Sequence, residues 1–361
     1  MKSFNMPVGP LHVSLEEPMY FRIDVEGEKV AGLEITAGHV HRGIEYLTAK
    51  RNIYQNLALI ERVCSLCSNS HPEAYCMALE TIAGIEVPER AQYLRVFADE
   101  IKRVASHMFN VAILAHVVGF ESLFMHVMEA REIMQDTKET VFGNRMDLAA
   151  NIIGGVKYDI DAAQSAYIIA QLDRLEPLLL NEIIPVYESN ATIQGRTRGV
   201  GQISREHCIE YGLMGPVARG AGYGYDVRTA APYAVYDKMD VEVISYPDGD
   251  VWSRAMVRLK EVAVSIRLLR QCLRDLPDGA TDAGPLPFIP AGEAVTKVEA
   301  PRGELVYYVN TNGTDIPARV KWRVPSYMNW DVLHLMMVGE GISDIPLIVN
   351  SIDPCISCTE R

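Results

Sequence analysis

Cysteine is scarce in this chain: only seven of its 361 residues are cysteines, and they are unevenly spread. A small secreted domain stabilised by disulfides needs a denser and even-numbered set, so that class is excluded and a reducing compartment is favoured. Long apolar runs are also missing. The most apolar helical stretch covers only residues 111–120 and includes His116, whereas a membrane span requires about 20 residues.

Clustered positive charge is absent as well. The formal net charge is −13, and a nucleic-acid partner would require a basic face, so none is predicted. The N-terminus has no apolar segment typical of a secretory signal, and we therefore expect a cytoplasmic protein. The glycines of residues 219–226 lack the G-x-G-x-x-G spacing, and no Gly-Lys-Ser/Thr occurs. A phosphate-binding loop is therefore not predicted.

Apolar residues make up 48% of the sequence, which is ample for a large core. Residues 20–36 alternate between apolar and polar and predict a β-hairpin. A helical spacing begins near residue 49, and an apolar stripe from Leu94 to Met108 predicts a long buried helix over residues 89–118. Further helices are predicted over the ranges 121–142, 160–189, 250–275 and 326–338. We therefore predict an α+β fold, mostly α, in which small peripheral β elements surround a central bundle of long helices.

No internal repeat or convincing linker divides the chain, which predicts a single domain over residues 1–361. Within it, an N-terminal β-hairpin region of about residues 1–48 and a loop-rich region at 278–325 are expected to pack on the helical core. Residues 191–249 and 278–325 are rich in Gly, Pro and short β-like runs. Residues 277–292 could be a linker, but a long surface loop is the better interpretation.

Four of the cysteines form two Cys-x-x-Cys units, Cys64 with Cys67 and Cys355 with Cys358, separated by most of the chain. Four thiolates can surround one metal ion, and thiolate is the soft ligand that suits zinc, nickel and iron–sulfur centres. Structural zinc modules space their pairs much more closely, so a buried metal used for chemistry is favoured. Two separate redox dithiols, or one incidental pair, are the alternative. The other cysteines, Cys76, Cys208 and Cys272, are predicted to be small core residues.

At these motifs the chain resembles a known family. "RVCSLCSNSH" and "DPCISCTER" are similar to the two signature motifs of nickel–iron hydrogenase large subunits. Five more segments, "GPLHVSLEEP", "HVHRGIEY", "RVASHMF", "GNRMDLAANIIGGV" and "EAPRGELVYYV", resemble the membrane-bound energy-converting branch, and within it most resemble the CO-induced group. The same segments, apart from the cysteines, also resemble the quinone-site large subunit of respiratory complex I, a relative that has lost the metal.

The resemblance implies a nickel–iron centre. By the family pattern Cys64, Cys67, Cys355 and Cys358 all bind nickel, while Cys67 and Cys358 also bridge to an iron that carries carbon monoxide and cyanide. The terminal thiolate of Cys355 can accept a proton when hydrogen is split.

Other residues are implied in supporting roles. Arg302 matches the position beside the open metal site and the cyanides. Ser326 matches a hydroxyl that donates to a cyanide, and a helix N-cap is its alternative role. His71 is expected to hydrogen-bond a bridging sulfur or to be a satisfied core histidine.

Two acidic positions are also implied by the resemblance. Glu17 matches the proton-relay glutamate, with Glu16 as its rival. Glu45 matches a position that helps to bind a second metal, magnesium or iron, near the C-terminus. The residue usual at the end of that site is histidine, and here it is Arg361.

No cysteine cluster remains for an iron–sulfur centre, so the resemblance implies a small subunit that carries one. It also implies integral membrane ion-translocating subunits, a ferredoxin-like electron donor and a link to a CO dehydrogenase system, with this chain on the cytoplasmic face of the inner membrane. The expected reaction is reversible reduction of protons to H₂. An electron-transfer subunit of the complex I type and a zinc-stapled scaffold are the competing functions.

Overall fold

A computed structural model describes residues 3–12, 15 and 17–361 of the chain. Within these residues the fold is mostly helical, and its strands form three small antiparallel sheets. The predicted α+β, mostly α, fold is therefore confirmed.

The strands lie at the two ends of the chain and in one short hairpin. The first sheet has the order β1-β2-β3 and consists of β1 (Ser3–Val8), β2 (Tyr20–Glu26) and β3 (Lys29–Thr36). The hairpin pairs β4 (Asn151–Ile152) with β5 (Gly155–Val156). The third sheet has the order β6-β7-β8 and consists of β6 (Ala291–Ala300), β7 (Gly303–Asn312) and β8 (Arg319–Arg323).

The remaining regular structure of the described chain is helical. The first seven are α1 (Ile44–Thr48), α2 (Ile53–Glu61), α3 (Ser70–Ala83), α4 (Glu89–Val118), α5 (Glu121–Phe142), α6 (Ala162–Pro177) and α7 (Ile184–Ser189), the last two joined by a π-helical turn, Leu178–Ile183. Next come α8 (Ala191–Thr197), α9 (Arg205–Tyr211), α10 (Gly215–Arg219), α11 (Val227–Ala230) and α12 (Val251–Asp275). The last four are α13 (Pro325–Met328), α14 (Leu333–Met337), α15 (Ile345–Ile352) and α16 (Ile356–Glu360).

Helix α4 is the centre of the bundle, because it packs against α5, α12 and α15. Its 30 residues carry the predicted apolar stripe, and nearly the whole middle of the helix is buried. The helix ends at Gly119, whose positive φ of 90° lets its N–H bond back to the carbonyl of Ala115. This central position explains why charged residues of α4 are buried along with the apolar ones.

Three sequence predictions need correction. Residues 278–325 hold longer strands than the short β-like runs predicted there, since β6 and β7 each span 10 residues. Residues 191–249 form short helices instead of β-like runs. The predicted helices near 49–83 and 326–338 are each interrupted, the first by the turn that contains Cys64 and Cys67.

Buried apolar side chains from the first sheet, the helices and the third sheet belong to one connected cluster. The organisation of residues 1–361 as a single domain stays a prediction. In the described part of the chain, no helix combines the length and the apolar character needed to cross a membrane.

Candidate metal centre

The two Cys-x-x-Cys units meet in the interior of the protein. Cys64 and Cys67 lie in the turn between α2 and α3, while Cys355 and Cys358 lie at the start of α16. All four side chains are buried, and their Sγ atoms lie within 4.8 Å of one another. The Sγ atoms of Cys67 and Cys358 are 3.2 Å apart. The structure therefore places both units around one point, as four thiolate ligands of a single metal site would be.

The local fold of the second unit explains its geometry. Cys355 precedes the first turn of α16, and its Sγ accepts a hydrogen bond from the backbone N–H of Cys358 at 3.4 Å. The sulfur thus satisfies one of the free N–H groups at the start of the helix. Because one helical turn separates the two cysteines, both sulfurs face the same side.

Electrostatics in the cluster favour metal binding. Hydrogen bonds from Cys355, Cys358 and Cys64 hold the pKa of the Cys67 thiol well below its usual value. Burial and the neighbouring sulfurs raise the pKa of Cys358 well above its usual value. Four thiolates cannot coexist in a buried site without compensating positive charge. A divalent metal ion would supply that charge and displace the remaining protons.

A small cavity adjoins the sulfurs, and its volume of about 10 Å³ is close to the space for one water molecule. Its lining is largely apolar but includes the guanidinium of Arg302 and the hydroxyl of Ser326. Nη1 of Arg302 is buried and has no hydrogen-bond partner among the described residues. A buried, unpaired cationic donor beside four sulfurs suits an anionic metal ligand. The residues present therefore fit a nickel–iron group.

Arg302 is fixed by Asp353, the residue two positions before Cys355. Nε of Arg302 donates to the backbone carbonyl of Asp353 at 2.8 Å, and Nη2 donates to Oδ1 at 2.6 Å. Burial opposes the charge, but the Asp353 carboxylate and the cysteine sulfurs raise the pKa of Arg302 above its usual value. The side chain is therefore a charged and oriented donor at the cavity.

Ser326 contacts the second cysteine unit directly. Its Oγ accepts a hydrogen bond from the backbone N–H of Cys355 at 3.0 Å. Ser326 lies inside α13, whose N-cap position is Val324, so the N-cap alternative is wrong. The hydroxyl hydrogen is still able to donate to a second acceptor.

His71 contacts the cluster from α3. Its Nε2 lies 3.3 Å from Sγ of Cys358, and its Nδ1 lies 2.7 Å from the hydroxyl of Tyr307 on β7. The side chain is 1% exposed. Both predicted roles describe it, since it is a satisfied core histidine that also touches one of the proposed bridging sulfurs.

Glu17 lies beside the second cysteine unit. Its carboxylate accepts hydrogen bonds from the backbone N–H of Ser357 at 2.8 Å and from the Ser357 hydroxyl at 2.6 Å. It also lines a cavity of about 20 Å³ together with Pro354 and Ile356. The predicted rival, Glu16, lies outside the described residues.

Glu45 makes ion pairs where a second metal was expected. Nε of Arg361 lies 2.7 Å from one carboxylate oxygen of Glu45, and Nη2 of Arg319 lies 3.3 Å from the other. Within the described residues, the four-cysteine group is the only cluster of three or more metal-ligating side chains. The two guanidinium groups thus balance the charge of Glu45, and a second metal at this position stays a prediction.

Sequence reasoning missed two residues of the site. Asp353 orients Arg302, and the only signal was its place in the "DPCISC" motif. Tyr307 holds His71, and its position on a buried strand gave no signal. Cys76, Cys208 and Cys272 are buried away from the cluster, as predicted.

A buried ion-pair network lies between α4, α12 and the third sheet. Arg228 pairs with Glu100 at 3.2 Å and with Asp226 at 2.7 Å, and Arg219 pairs with Glu299 at 2.9 Å. Burial, reinforced by the nearby carboxylate of Asp226, raises the pKa of Glu299 to about 7. Glu299 starts the "EAPRGE" segment that contains Arg302, so the network supports the strand end that carries this arginine.

Comparison with known proteins agrees with the site. The family model of the respiratory-chain NADH dehydrogenase 49 Kd subunit matches residues 118–285 and 284–361, and that of nickel-dependent hydrogenase matches residues 42–141. The chain therefore belongs to the family of oxidoreductase subunits that nickel-dependent hydrogenases share with the NADH dehydrogenase 49 Kd subunit. This confirms the resemblance seen in the sequence motifs.

Two relatives and one solved structure define the branch. The chain is 72% identical to the carbon monoxide-induced hydrogenase of Rhodospirillum rubrum over 100% of both chains. It is 36% identical to the membrane-bound hydrogenase subunit alpha of Pyrococcus furiosus, over 99% of this chain and 87% of that one. A chain of the membrane-bound sulfane sulfur reductase, an archaeal respiratory membrane complex, superimposes with a TM-score of 0.94 and 30% identity, covering 99% and 98% of the two chains.

Proposed function

We propose that this chain is the catalytic large subunit of an energy-converting nickel–iron hydrogenase that reversibly reduces protons to H₂. The observation that supports this function is the convergence of four buried cysteine sulfurs within 4.8 Å. A quinone-site subunit of the complex I type has no use for such a ligand set. A structural zinc ion would add little stability to a protein with so large an apolar core.

In this proposal Cys64, Cys67, Cys355 and Cys358 hold nickel, and Cys67 and Cys358 also hold an iron that carries carbon monoxide and cyanide. When bound, this group supplies the redox chemistry that forms or splits H₂. Thiolates suit nickel because they are soft ligands. The contact of 3.2 Å between the sulfurs of Cys67 and Cys358 suits two sulfurs shared by neighbouring metals.

Arg302 and Ser326 prepare the cavity beside the sulfurs. The two hydrogen bonds to Asp353 orient the Arg302 guanidinium before any ligand binds. Preorganised donors of this kind need no reorganisation during the reaction. The Ser326 hydroxyl fixes the backbone of Cys355 through its oxygen and can donate its hydrogen to a cyanide. The apolar remainder of the lining excludes bulk water.

A proton passes between the Cys355 sulfur and the Glu17 carboxylate in this proposal. Ser357 follows Cys355 by two residues and donates two hydrogen bonds to Glu17, which keeps the carboxylate next to the second cysteine unit. The adjoining cavity, of about 20 Å³, has room for a water molecule that could carry the proton onward.

We further propose the partners that the family resemblance implies. Electrons come from a ferredoxin-like donor through an iron–sulfur small subunit, and integral membrane subunits translocate ions. The 72% identity to a carbon monoxide-induced hydrogenase favours coupling to a CO dehydrogenase system. The subunit then sits on the cytoplasmic face of the inner membrane, held there by its partners.

The family model of the 49 Kd subunit matches more of the chain than the hydrogenase model does. An electron-transfer subunit without hydrogenase activity is therefore the second candidate. Metal analysis of the purified complex separates the two: about one nickel and one additional iron per chain support the hydrogenase, and no nickel refutes it. Zinc alone would instead support a structural site.

A cysteine variant tests the ligand assignment directly. Cys355→Ser should abolish hydrogen–deuterium exchange and lower the nickel content, while circular dichroism shows that the helical core stays folded. Cys76→Ser is the matched control, because Cys76 is equally buried but lies outside the cluster. It should retain both nickel and activity. An active Cys355→Ser complex would contradict the assignment.

A further inference from the structure

Lys102 is a buried lysine on α4 that the proposed reaction does not use. The residue is 3% exposed. In the described part of the chain, its ammonium group donates to backbone carbonyls, and the carboxylates of Asp147 and Glu61 act on it only through their charge. Burying a cation without a carboxylate partner costs several kcal/mol. Some other feature of the structure must offset that cost.

The ammonium group is bound to the first cysteine unit by hydrogen bonds. Nζ of Lys102 donates to the backbone carbonyl of Ser65, between Cys64 and Cys67, at 2.6 Å. It also donates to the carbonyl of Met146 at 2.6 Å. The hydroxyl of Ser68, the residue after Cys67, donates to the same Met146 carbonyl at 3.3 Å. Lys102 therefore ties the cysteine turn at Ser65 to the loop that follows α5, and Ser68 makes its own, separate contact with that loop.

The positive charge of Lys102 is its second connection to the cysteine sulfurs. Burial lowers the pKa of Lys102 to about 8, and the nearby sulfurs of Cys64 and Cys67, followed by the carboxylates of Asp147 and Glu61, favour the ammonium form. Four ligating thiolates, with cyanide on the iron, would leave a negative buried centre even after the metals are counted. Fixed positive charge close to that centre offsets this excess.

The two cysteine units are thus each served by one buried cation. Arg302 reaches the second unit through Asp353 and lines the cavity. Lys102 reaches the first unit through Ser65 and does not line the cavity. The two side chains approach the sulfurs from different elements, α4 and the turn between β6 and β7.

We propose that Lys102 is a positioning residue of the metal centre: its ammonium group fixes the Cys64–Cys67 turn and stabilises the ligating thiolates by its positive charge. This inference deepens the proposed function and rests on the four cysteines holding metal. It assigns no proton transfer to the lysine. Its action is on ligand geometry and on the electrostatic potential at the sulfurs.

The test compares metal release and redox potential in the purified complex. Lys102→Met removes the charge and the donors, Lys102→Gln keeps an N–H donor without the charge, and Lys102→Arg keeps the charge. Ser68→Ala is the matched control, because it removes one hydrogen bond to Met146 and leaves the ammonium group in place. For each, metal release to a chelator is timed, and the midpoint potential is measured by infrared-monitored titration.

We expect Lys102→Met and Lys102→Gln to release metal about 10-fold faster or more and to shift the potential to more negative values, since an oxidised centre is easier to form without a nearby cation. Lys102→Arg and Ser68→Ala should stay close to the unmodified complex in both measurements. If Lys102→Met does not accumulate, Lys102→Gln decides.

Unchanged release and potential in the uncharged variants would overturn the inference, and so would an equal effect of Ser68→Ala. Failure of the proposed function is read separately, from the identity of the metal in the unmodified complex. Absence of any bound metal there would overturn both.

Discussion

Replacing Arg302 by lysine tests the proposed role of the guanidinium most directly. The substitution keeps a positive charge at the site but removes the planar fork of donors. A single ammonium nitrogen cannot reproduce both hydrogen bonds to Asp353, at 2.8 and 2.6 Å, and also present a further donor at the cavity. The variant therefore separates charge from oriented donation.

The expected losses can be worked from these contacts. One hydrogen bond between charged groups contributes about 1.5–3 kcal/mol, so we expect the protein to lose stability by that amount. Loss of one preorganised donor at a reacting centre lowers a rate by about 10²–10³-fold. Hydrogen–deuterium exchange should therefore fall by about that factor, while the nickel content per chain changes little.

Arg95→Lys provides the matched control. Arg95 is equally buried and forms a two-fold pair with Glu80, at 2.9 and 2.6 Å, away from the cavity. Its loss of stability should be similar, but exchange activity per nickel should not change. The reasoning is refuted if Arg302→Lys keeps its activity at equal metal content, or if Arg95→Lys loses as much activity.

Three further predictions follow from the site. Glu17→Gln, which keeps the shape next to Ser357 but cannot accept a proton as a carboxylate does, should lower H₂ evolution by about 10²-fold or more at unchanged metal content. Tyr307→Phe removes the partner of His71 and should weaken nickel retention or exchange activity about 10-fold. The pKa of Glu299 is raised from 4.5 to about 7, so its contribution of about 3 kcal/mol is complete below pH 4.5 and lost as pH rises through 7. The thermal midpoint of Glu299→Gln should accordingly change less than that of the unmodified protein between pH 5 and 8, and an identical pH profile would contradict this.

The positions of the long helices could be predicted from the sequence, because the apolar spacing in each of them repeats over many residues. The helices Glu89–Val118, Glu121–Phe142 and Val251–Asp275 each carry an apolar stripe long enough to exceed chance. The ligand set was equally predictable, because each Cys-x-x-Cys unit is recognised from four consecutive residues. Each of these patterns can be recognised from residues that are close together in the sequence.

Burial of charge could not be predicted in the same way. Glu100, Lys102 and Arg103 on α4 look like the solvent face of an amphipathic helix. They are buried because α5, α12 and α15 surround α4, a fact of tertiary packing. The roles assigned above to Lys102 and to the ion-pair network depend on that packing and are invisible in the sequence.

The ion pairs of Glu45 show a different limit of prediction from the sequence. The family pattern implied a second metal, and the departure at Arg361 was visible in the sequence. Only the structure shows that this guanidinium lies 2.7 Å from the Glu45 carboxylate. Arg361 thus places positive charge beside a partly buried carboxylate, a contact that the sequence motif did not predict.

Several protein contacts help to hold the second cysteine unit in position. The N–H of Cys355 is bound by Ser326, both donors of Ser357 are bound by Glu17, and the backbone carbonyl of Arg361 accepts hydrogen bonds from residues 42 and 43. These contacts tie the unit to α13, to Glu17 and to the turn before α1.

In zinc fingers the metal's binding energy is spent on folding, and removal of the metal unfolds the domain. In this chain one large apolar core and the hydrogen bonds around the second cysteine unit also help to hold the ligands in place. Binding energy that is not spent on folding is available for affinity and for holding the ligand geometry fixed during redox change. The fold positions the site, and the four cysteine sulfurs determine which metal it can bind.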